Sequence, residues 1–340
     1  MISFEKAVIE KINVYNIKLP ILVKNATFPF KLLSIYKIKK LIEGLKPDVL
    51  HAHYLTNYGL FSALCNFHPF IITTWGSDIL PVKTESSVIR WIKKLISRYA
   101  AEKADIITAD SKSLIKEMVK LGISEKKIKL ISHGVDLEKF DRYKKVPDFK
   151  RQLGIPLNSK IVISTRNLEP VYNVELLIKA IPYVVKNNSQ VHFIVLGDGK
   201  QKDFLQKMAK QLNVKEHVRF LGRLPHEEVG YFLANSDIYV STSLSDSTSV
   251  SLLEAMASRL PAIVTDLEGN REWIEDNVNG FIIPPDDPKI LAEKILQLLS
   301  DEETARKFGE HGRKLVAMRA DYEKEMRKVE EIYKHLSKRF

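Results

Sequence analysis

Cysteine is nearly absent: the 340 residues include one, Cys65. A single thiol cannot close an internal disulfide, which fits a reducing compartment. Nothing around Cys65 looks like an activating base for a nucleophile, so a small apolar core residue is its plain reading. No run of about 18 apolar residues occurs, so no segment reads as a membrane-spanning helix. The opening stretch, MISFEKAVIEKINVYNIKLP, lacks the apolar core followed by small residues that marks a secretory leader. Low-complexity tracts and short repeats are missing too. Neither G-x-G-x-x-G nor a Walker A sequence is found, which argues against dinucleotide redox chemistry and P-loop phosphoryl transfer. The glycine-bearing LGDGK at 196–200 reads as a turn after a strand.

Acidic residues are scarce in one half only. Residues 1–150 hold 26 Lys and Arg against 15 Asp and Glu, whereas the remainder holds 27 against 27. The whole net charge of +11 therefore lies in the first half. Such asymmetry points to an anionic ligand or surface for that half. No nucleic-acid recognition motif accompanies it. The segments 31–46 and 90–103 are cationic and amphipathic, as helices lying on an anionic membrane surface are, and equally as lysine-rich soluble faces are. The expected location is cytoplasmic, with peripheral contact at the inner membrane face.

With 45% hydrophobic and 28% charged residues, the chain is globular and long enough for two domains. Short β-rich apolar runs alternate with helical periodicity. Strands are expected near 48–54, 70–75, 104–110 and 128–134, then near 160–165, 191–197, 217–222, 237–243, 261–266 and 280–285. Helices are expected near 31–45, 88–103 and 111–121, then near 173–187, 201–212, 225–235, 249–258, 288–300, 302–317 and 321–338. This alternation predicts an α/β fold with two doubly wound parallel sheets covered on both faces. The polar stretch DRYKKVPDFKRQLGIPLNSK separates the two series. The expected division is 1–150, 151–318, and a last helix, 319–340, packing back toward the first domain. Ligands of such sheets bind in the crevice at the strand C-terminal ends.

Candidate residues sit there. Arg166 follows the first strand of the second half, where its planar fork suits a phosphate and where it also reads as a surface arginine. His51 and His53 alternate along a strand and share a face; a third metal ligand is not evident, so lining the crevice or a structural role is the simpler reading. The stretch 245–261, SDSTSVSLLEAMASRLP, carries two acids eight positions apart, Asp246 and Glu254. Ser247, Thr248 and Ser249 are natural N-caps for the helix that follows, and its free N–H groups attract anions. Val250, Leu253 and Ala257 mark an apolar stripe, with Glu254 at its edge. Glu254 is then either a surface glutamate or a carboxylate accepting sugar hydroxyls at the crevice rim.

Taken together, TRNLEPVYNVELLIKA, VLGDG, VRFLGRL, SDIYVSTS, DSTSVSLLEAMA, PAIVTD and NGFIIPPDD appear in an order and spacing that resemble the donor domain of the retaining glycosyltransferases of family 4. PDVLHAHY, TTWGSDI and HGVDLEKF extend the resemblance into the first half, from about Pro47 onward. The resemblance implies the GT-B fold and transfer of a sugar from a nucleotide diphosphate sugar, with no further cofactor and no metal. The acceptor would be a hydroxyl of a glycan or lipid-linked molecule. It implies that Glu254 holds the ribose, that Asp246 lies near the donor sugar, and that Arg166 stabilises the leaving diphosphate. Thr248, Ser249, Val250 and Ser251 would approach the sugar and phosphates, and His53, Trp75, Gly76, Gly197 and Leu224 complete the implied substrate-binding set.

Three departures stand out. Tyr172, in VYN, occupies a position where the family commonly has lysine. Trp75 stands where it often has histidine. The strand, glycine-rich loop and helix with which members usually open are expected to be missing, either because the chain starts inside a longer frame or because it is a degenerate member. A nucleotide-sugar 2-epimerase and a non-catalytic sugar-nucleotide binder are the alternatives.

Overall fold

The computed structural model describes residues 28–80 and 86–338. The opening unit expected to be missing falls before residue 28, outside the described residues. The first sheet has four parallel strands in the order β1 (Leu50–His53), β2 (Phe70–Thr73), β3 (Ile106–Ala109), β4 (Ile128–Leu130). Its helices are α1 (Phe28–Leu45), α2 (Asn57–Cys65), α3 (Ser87–Lys103) and α4 (Lys112–Lys120). Two short helices, α5 (Leu137–Arg142) and α6 (Phe149–Gln152), lead into the second sheet.

That sheet has six parallel strands in the order β10-β9-β8-β5-β6-β7. Their ranges are β5 Lys160–Ser164, β6 Val191–Leu196, β7 Val218–Gly222, β8 Ile238–Ser241, β9 Ala262–Thr265 and β10 Gly280–Ile283. The helices are α7 (Val174–Asn187), α8 (Lys202–Gln211), α9 (His226–Ala234), α10 (Val250–Ala257), α11 (Glu268–Arg271), α12 (Pro288–Ser300), α13 (Glu302–Arg319) and α14 (Tyr322–Ser337). From β5 the chain builds outward through β6 and β7, then crosses to β8 and builds the other way. The switch point is therefore between β5 and β8, where doubly wound sheets open a crevice.

Burial explains why the strands read as continuous apolar runs. In β5, Val162 packs with Phe193, Val240 and Leu177 on one face, while Ile161 and Ile163 pack with Tyr239 and Leu253 on the other. Both faces are covered, so period-two alternation disappears. Each such fully buried aliphatic side chain stabilises the fold by about 1.5–3 kcal/mol. Phe140 of α5 and Phe149 of α6 belong to that second core.

The last helix returns to the first sheet. Val135 and Ala320–Tyr322 are joined by two backbone hydrogen bonds, of 2.7 and 3.2 Å. The Ser132 N–H donates to Glu325 Oε2 at 2.9 Å, and Tyr333 Oη meets His51 Nδ1 at 2.5 Å. Burial, and then His53, lower the His51 pKa to about 4. Cys65 is buried, and its thiol lies 3.3 Å from the Phe61 carbonyl. Burial pushes that thiol's pKa up, the opposite of an activated nucleophile.

Ten strands lie where the hydrophobic runs place them. Helix α2 was not expected, because NYGLFSALC is short and apolar without a clear stripe; α5, α6 and α11 also escaped notice. None of the helices among the described residues is long and apolar enough to cross a membrane.

Candidate active site

A cleft of about 610 Å³ lies between the C-terminal ends of the two sheets. Loops after β2, β3 and β4 supply Trp75, Asp110 and His133; loops after β5 and β8 supply Arg166 and Asp246. Arg166 and Asp246 thus flank the switch point.

Arg166 is the buried cation of the cleft; Arg223 lines it from an exposed position. Nη2 donates to Asp246 Oδ2 at 2.6 Å, and Nη1 donates to Ser249 Oγ at 2.6 Å and Ser251 Oγ at 2.9 Å. The guanidinium lies over the Tyr172 ring, 4.1 Å from its centroid. Cation–π contact of this kind favours arginine, so Tyr172, where a lysine was expected, packs on Arg166. Burial works against the charge, but Asp246 foremost, then Tyr239 and Tyr172, leave its pKa raised above that of a free arginine. Fully buried Tyr239 reaches Ser251 Oγ at 2.8 Å, which fixes the hydroxyl from behind. The surface-arginine reading of Arg166 fails.

Helix α10 starts as its hydroxyls predict. Ser249 is the N-cap, and its Oγ accepts from the Leu252 N–H. The N–H groups of Val250 and Ser251 fall among those an α-helix leaves unused at its start, and both residues line the cleft. Thr248 is committed elsewhere: Oγ1 donates to the Asp110 carbonyl at 3.0 Å and its N–H donates to Asp110 Oδ2 at 3.2 Å. Val250 is not part of the buried stripe; it is 37% exposed, whereas residues 252–257 are all buried. The helix is enclosed around most of its circumference, so no stripe edge exists there. Glu254 is only 6% exposed, which rules out the surface-glutamate reading. Its Oε1 accepts from His226 Nε2 at 2.7 Å.

Glycines permit close approach. Gly197 has φ +143°, and a Cβ there would meet the Arg166 carbonyl oxygen at 2.4 Å. Gly76 has φ +82°, and a Cβ would meet Ser247 Oγ at 2.7 Å across the cleft. Leu224 lines the same cleft. His53 does not line it: it accepts from Trp75 Nε1 at 3.0 Å. Its ring also stacks on that of His51, with centroids 4.8 Å apart. The face Trp75 turns to His133 is stacked, centroids 4.7 Å apart.

Asp110 was missed in the sequence. Buried Oδ2 accepts from Ser247 Oγ at 2.7 Å and lies 3.1 Å from His133 Nε2, so this one carboxylate ties the two sheets together. Glu272 makes a second tie: Oε2 and Oε1 accept from the Lys112 and Ser113 N–H groups, at 2.9 and 2.7 Å, at the start of α4. Asp78 is also new. Its carboxylate accepts from the N–H groups of Leu55 and Trp75, holding the Trp75 loop. Each is a lone acid in sequence, and each has at least one partner more than twenty residues away. Among the described residues no group of three or more His, Cys, Asp or Glu side chains is placed to hold a metal ion.

Residues 145–315, half of the chain, match the family described as "Glycosyl transferases group 1". The chain belongs to this family. Residues 3–111 match "Glycosyl transferase 4-like". This group 1 glycosyltransferase is similar to the N-acetyl-alpha-D-glucosaminyl L-malate synthase of Bacillus anthracis, 28% identical over 90% of this chain and 79% of the relative. An Escherichia coli UDP-Gal:alpha-D-GlcNAc-diphosphoundecaprenol alpha-1,3-galactosyltransferase is 25% identical over 83% of this chain and 74% of its own. Among solved structures, Anabaena HepE in complex with UDP-glucose superposes with a TM-score of 0.79, covering 91% of this chain and 84% of HepE at 22% identity. At that identity the likeness shows the fold, which is GT-B.

Proposed function

We propose that this glycosyltransferase transfers a sugar from a UDP-sugar to an acceptor hydroxyl with retention of anomeric configuration. The observation that carries the reading is that Arg166, Asp246 and Glu254 converge on one cleft, on the two sides of the switch point. The donor lies on the second sheet and the acceptor enters past Trp75. As the C1–O bond breaks, negative charge grows on the departing diphosphate. Arg166 and the Val250 and Ser251 N–H groups stand where pre-aimed donors do most for such charge. Tyr172 holds the guanidinium plane. Glu254 accepts from the ribose hydroxyls and Asp246 faces the sugar. The diphosphate takes the acceptor proton as it leaves, so the step needs no protein nucleophile. Metal-independence is part of the reading, because the groups beside the phosphate position are an arginine, hydroxyls and one arginine-paired acid. Uracil as the base is supported by the names of two relatives, the galactosyltransferase and HepE.

We also read the acceptor as glycan or lipid-linked, with the first domain against an anionic membrane. Val88, Ile89, Trp91, Ile92 and Leu95 of α3 are exposed beside Lys94 and Arg98, the composition of an interfacial helix. Residues 1–150 and 151–318, with the last helix returning to the first sheet, are the domain division this reading uses.

The test is turnover of UDP-sugars. Arg166→Ala and Glu254→Ala each lower transfer by more than tenfold; wild-type turnover in either variant sinks the assignment.

A further inference from the structure

A short chain of contacts runs into the cleft from α5, and the reaction scheme uses only its last member. Lys139 Nζ lies 3.0 Å from His226 Nδ1, and His226 Nε2 lies 2.7 Å from Glu254 Oε1. An ammonium can only donate, so Nδ1 accepts and the imidazole in this arrangement carries its proton on Nε2. Nε2–H therefore donates to Glu254. One carboxylate oxygen is taken, while Oε2 is engaged by no described residue and Glu254 lines the cleft. A glutamate held by one oxygen presents the other in a fixed direction, and a ligand then orders less of the side chain on binding.

Lys139 itself is fixed by its helix. The neighbouring Asp141 on α5 accepts from Arg259 Nη1 at 2.8 Å and from Arg313. Tyr143 just beyond it donates to the Glu227 carbonyl. The stretch between the two sheets is thereby anchored to the second one, and the ammonium is delivered to His226 from a stable support.

We propose that His226, braced by Lys139, is a positioning residue that aims Glu254 Oε2 at the hydroxyls of the donor ribose. The inference rests on the reading of Glu254 as the ribose acid. His226 is faced by Glu254 from α10, by Lys139 from α5 and by Glu227 on its own helix. The hydrogen bond to Glu254 leads in raising its pKa above the usual histidine value, while burial and Lys139 oppose. On protonation Nδ1 gains a hydrogen, the Lys139 contact turns repulsive, and Glu254 is drawn more strongly to the imidazolium.

Calorimetric titration with UDP at pH 8 tests this on wild type, His226→Ala, His226→Gln, Glu254→Ala and the double variant His226→Ala/Glu254→Ala. The His226 side chain is 59% exposed, so its replacement leaves the core intact. His226→Ala weakens UDP binding by about tenfold, as loss of a charge-assisted contact does. His226→Gln, whose amide N–H replaces Nε2–H, recovers most of that loss. In the Glu254→Ala background, His226→Ala adds nothing. A His226→Ala variant that binds UDP as wild type does, or an equal loss in both backgrounds, overturns the proposal. Wild-type binding by Glu254→Ala overturns the ribose reading itself, which separates the two failures.

Discussion

Arg166 Nη2 and Asp246 Oδ2 are 2.6 Å apart, so the buried cation of the cleft is matched by a carboxylate from the loop across the switch point. A diphosphate entering the cleft competes with Asp246 for the same nitrogen. In Asp246→Asn the guanidinium keeps its hydroxyl partners and its place on Tyr172 but loses its counter-charge. The variant is expected to bind UDP more tightly than wild type while turning over more than tenfold more slowly. Calorimetry and a UDP-release assay on one preparation check both signs; weaker UDP binding with unchanged turnover contradicts the competition.

Glu254→Gln tests the ribose contact with little change of shape. An amide accepts less strongly than a carboxylate, and hydrogen bonds to charged groups are worth about 1.5–3 kcal/mol. Donor KM is expected to rise by about one to two orders of magnitude, with a smaller change in kcat. A fall in kcat at constant KM would place Glu254 on the reacting centre instead.

His226 also gives a pH dependence of stability. Its pKa is higher in the folded protein than in a free histidine, so its contribution is fully present below the unfolded value, about 6.5, and is lost as pH rises through the folded value. His226→Gln removes that dependence. The urea midpoints of wild type and variant should differ most at pH 6 and converge by pH 9, on the alkaline side of the His226 transition. A difference that grows with pH would reverse the sign.

Most of the fold was legible because strands buried on both faces appear as uninterrupted apolar runs, and helices between them keep one apolar side. The run KIVIS gave β5 and VHFIVL gave β6 on that basis alone. Helix α10 was placed correctly, yet its orientation was not: with residues 252–257 all buried, no stripe distinguishes core from cleft. Arg166 stood out by its place after a strand and Asp246 and Glu254 by their place in the hydroxyl-rich stretch 245–261, while motif order supplied only the roles expected of them. Asp110, Asp78, Glu272 and His226 did not stand out, because each draws its role from a partner on another element. The substitution of Tyr172 for lysine was visible in sequence; that it stacks on Arg166 was not.

The two ties between the sheets make a prediction about shape. Glu272→Ala and Asp110→Ala remove the acids that hold the α4 N-terminus and Ser247 across the cleft. The double variant should show a larger radius of gyration by small-angle scattering and recover the wild-type value on saturation with UDP-sugar. An unchanged radius would mean that the remaining contacts, including α14, hold the sheets by themselves.

Exposed Trp91 and Ile92 beside Lys94 on α3 predict salt-sensitive retention on vesicles containing anionic lipid. Trp91→Ser/Ile92→Ser should lower the bound fraction several-fold without altering turnover of a soluble acceptor. Equal binding to neutral and anionic vesicles would remove the electrostatic part.

The most direct test of retaining transfer is proton NMR of the sugar first released from a UDP-α-hexose, recorded before mutarotation. The α-anomer should form, and Arg166→Ala should slow its appearance by about 100- to 1000-fold. A β-anomer, or a release rate that Arg166→Ala leaves unchanged, contradicts the account.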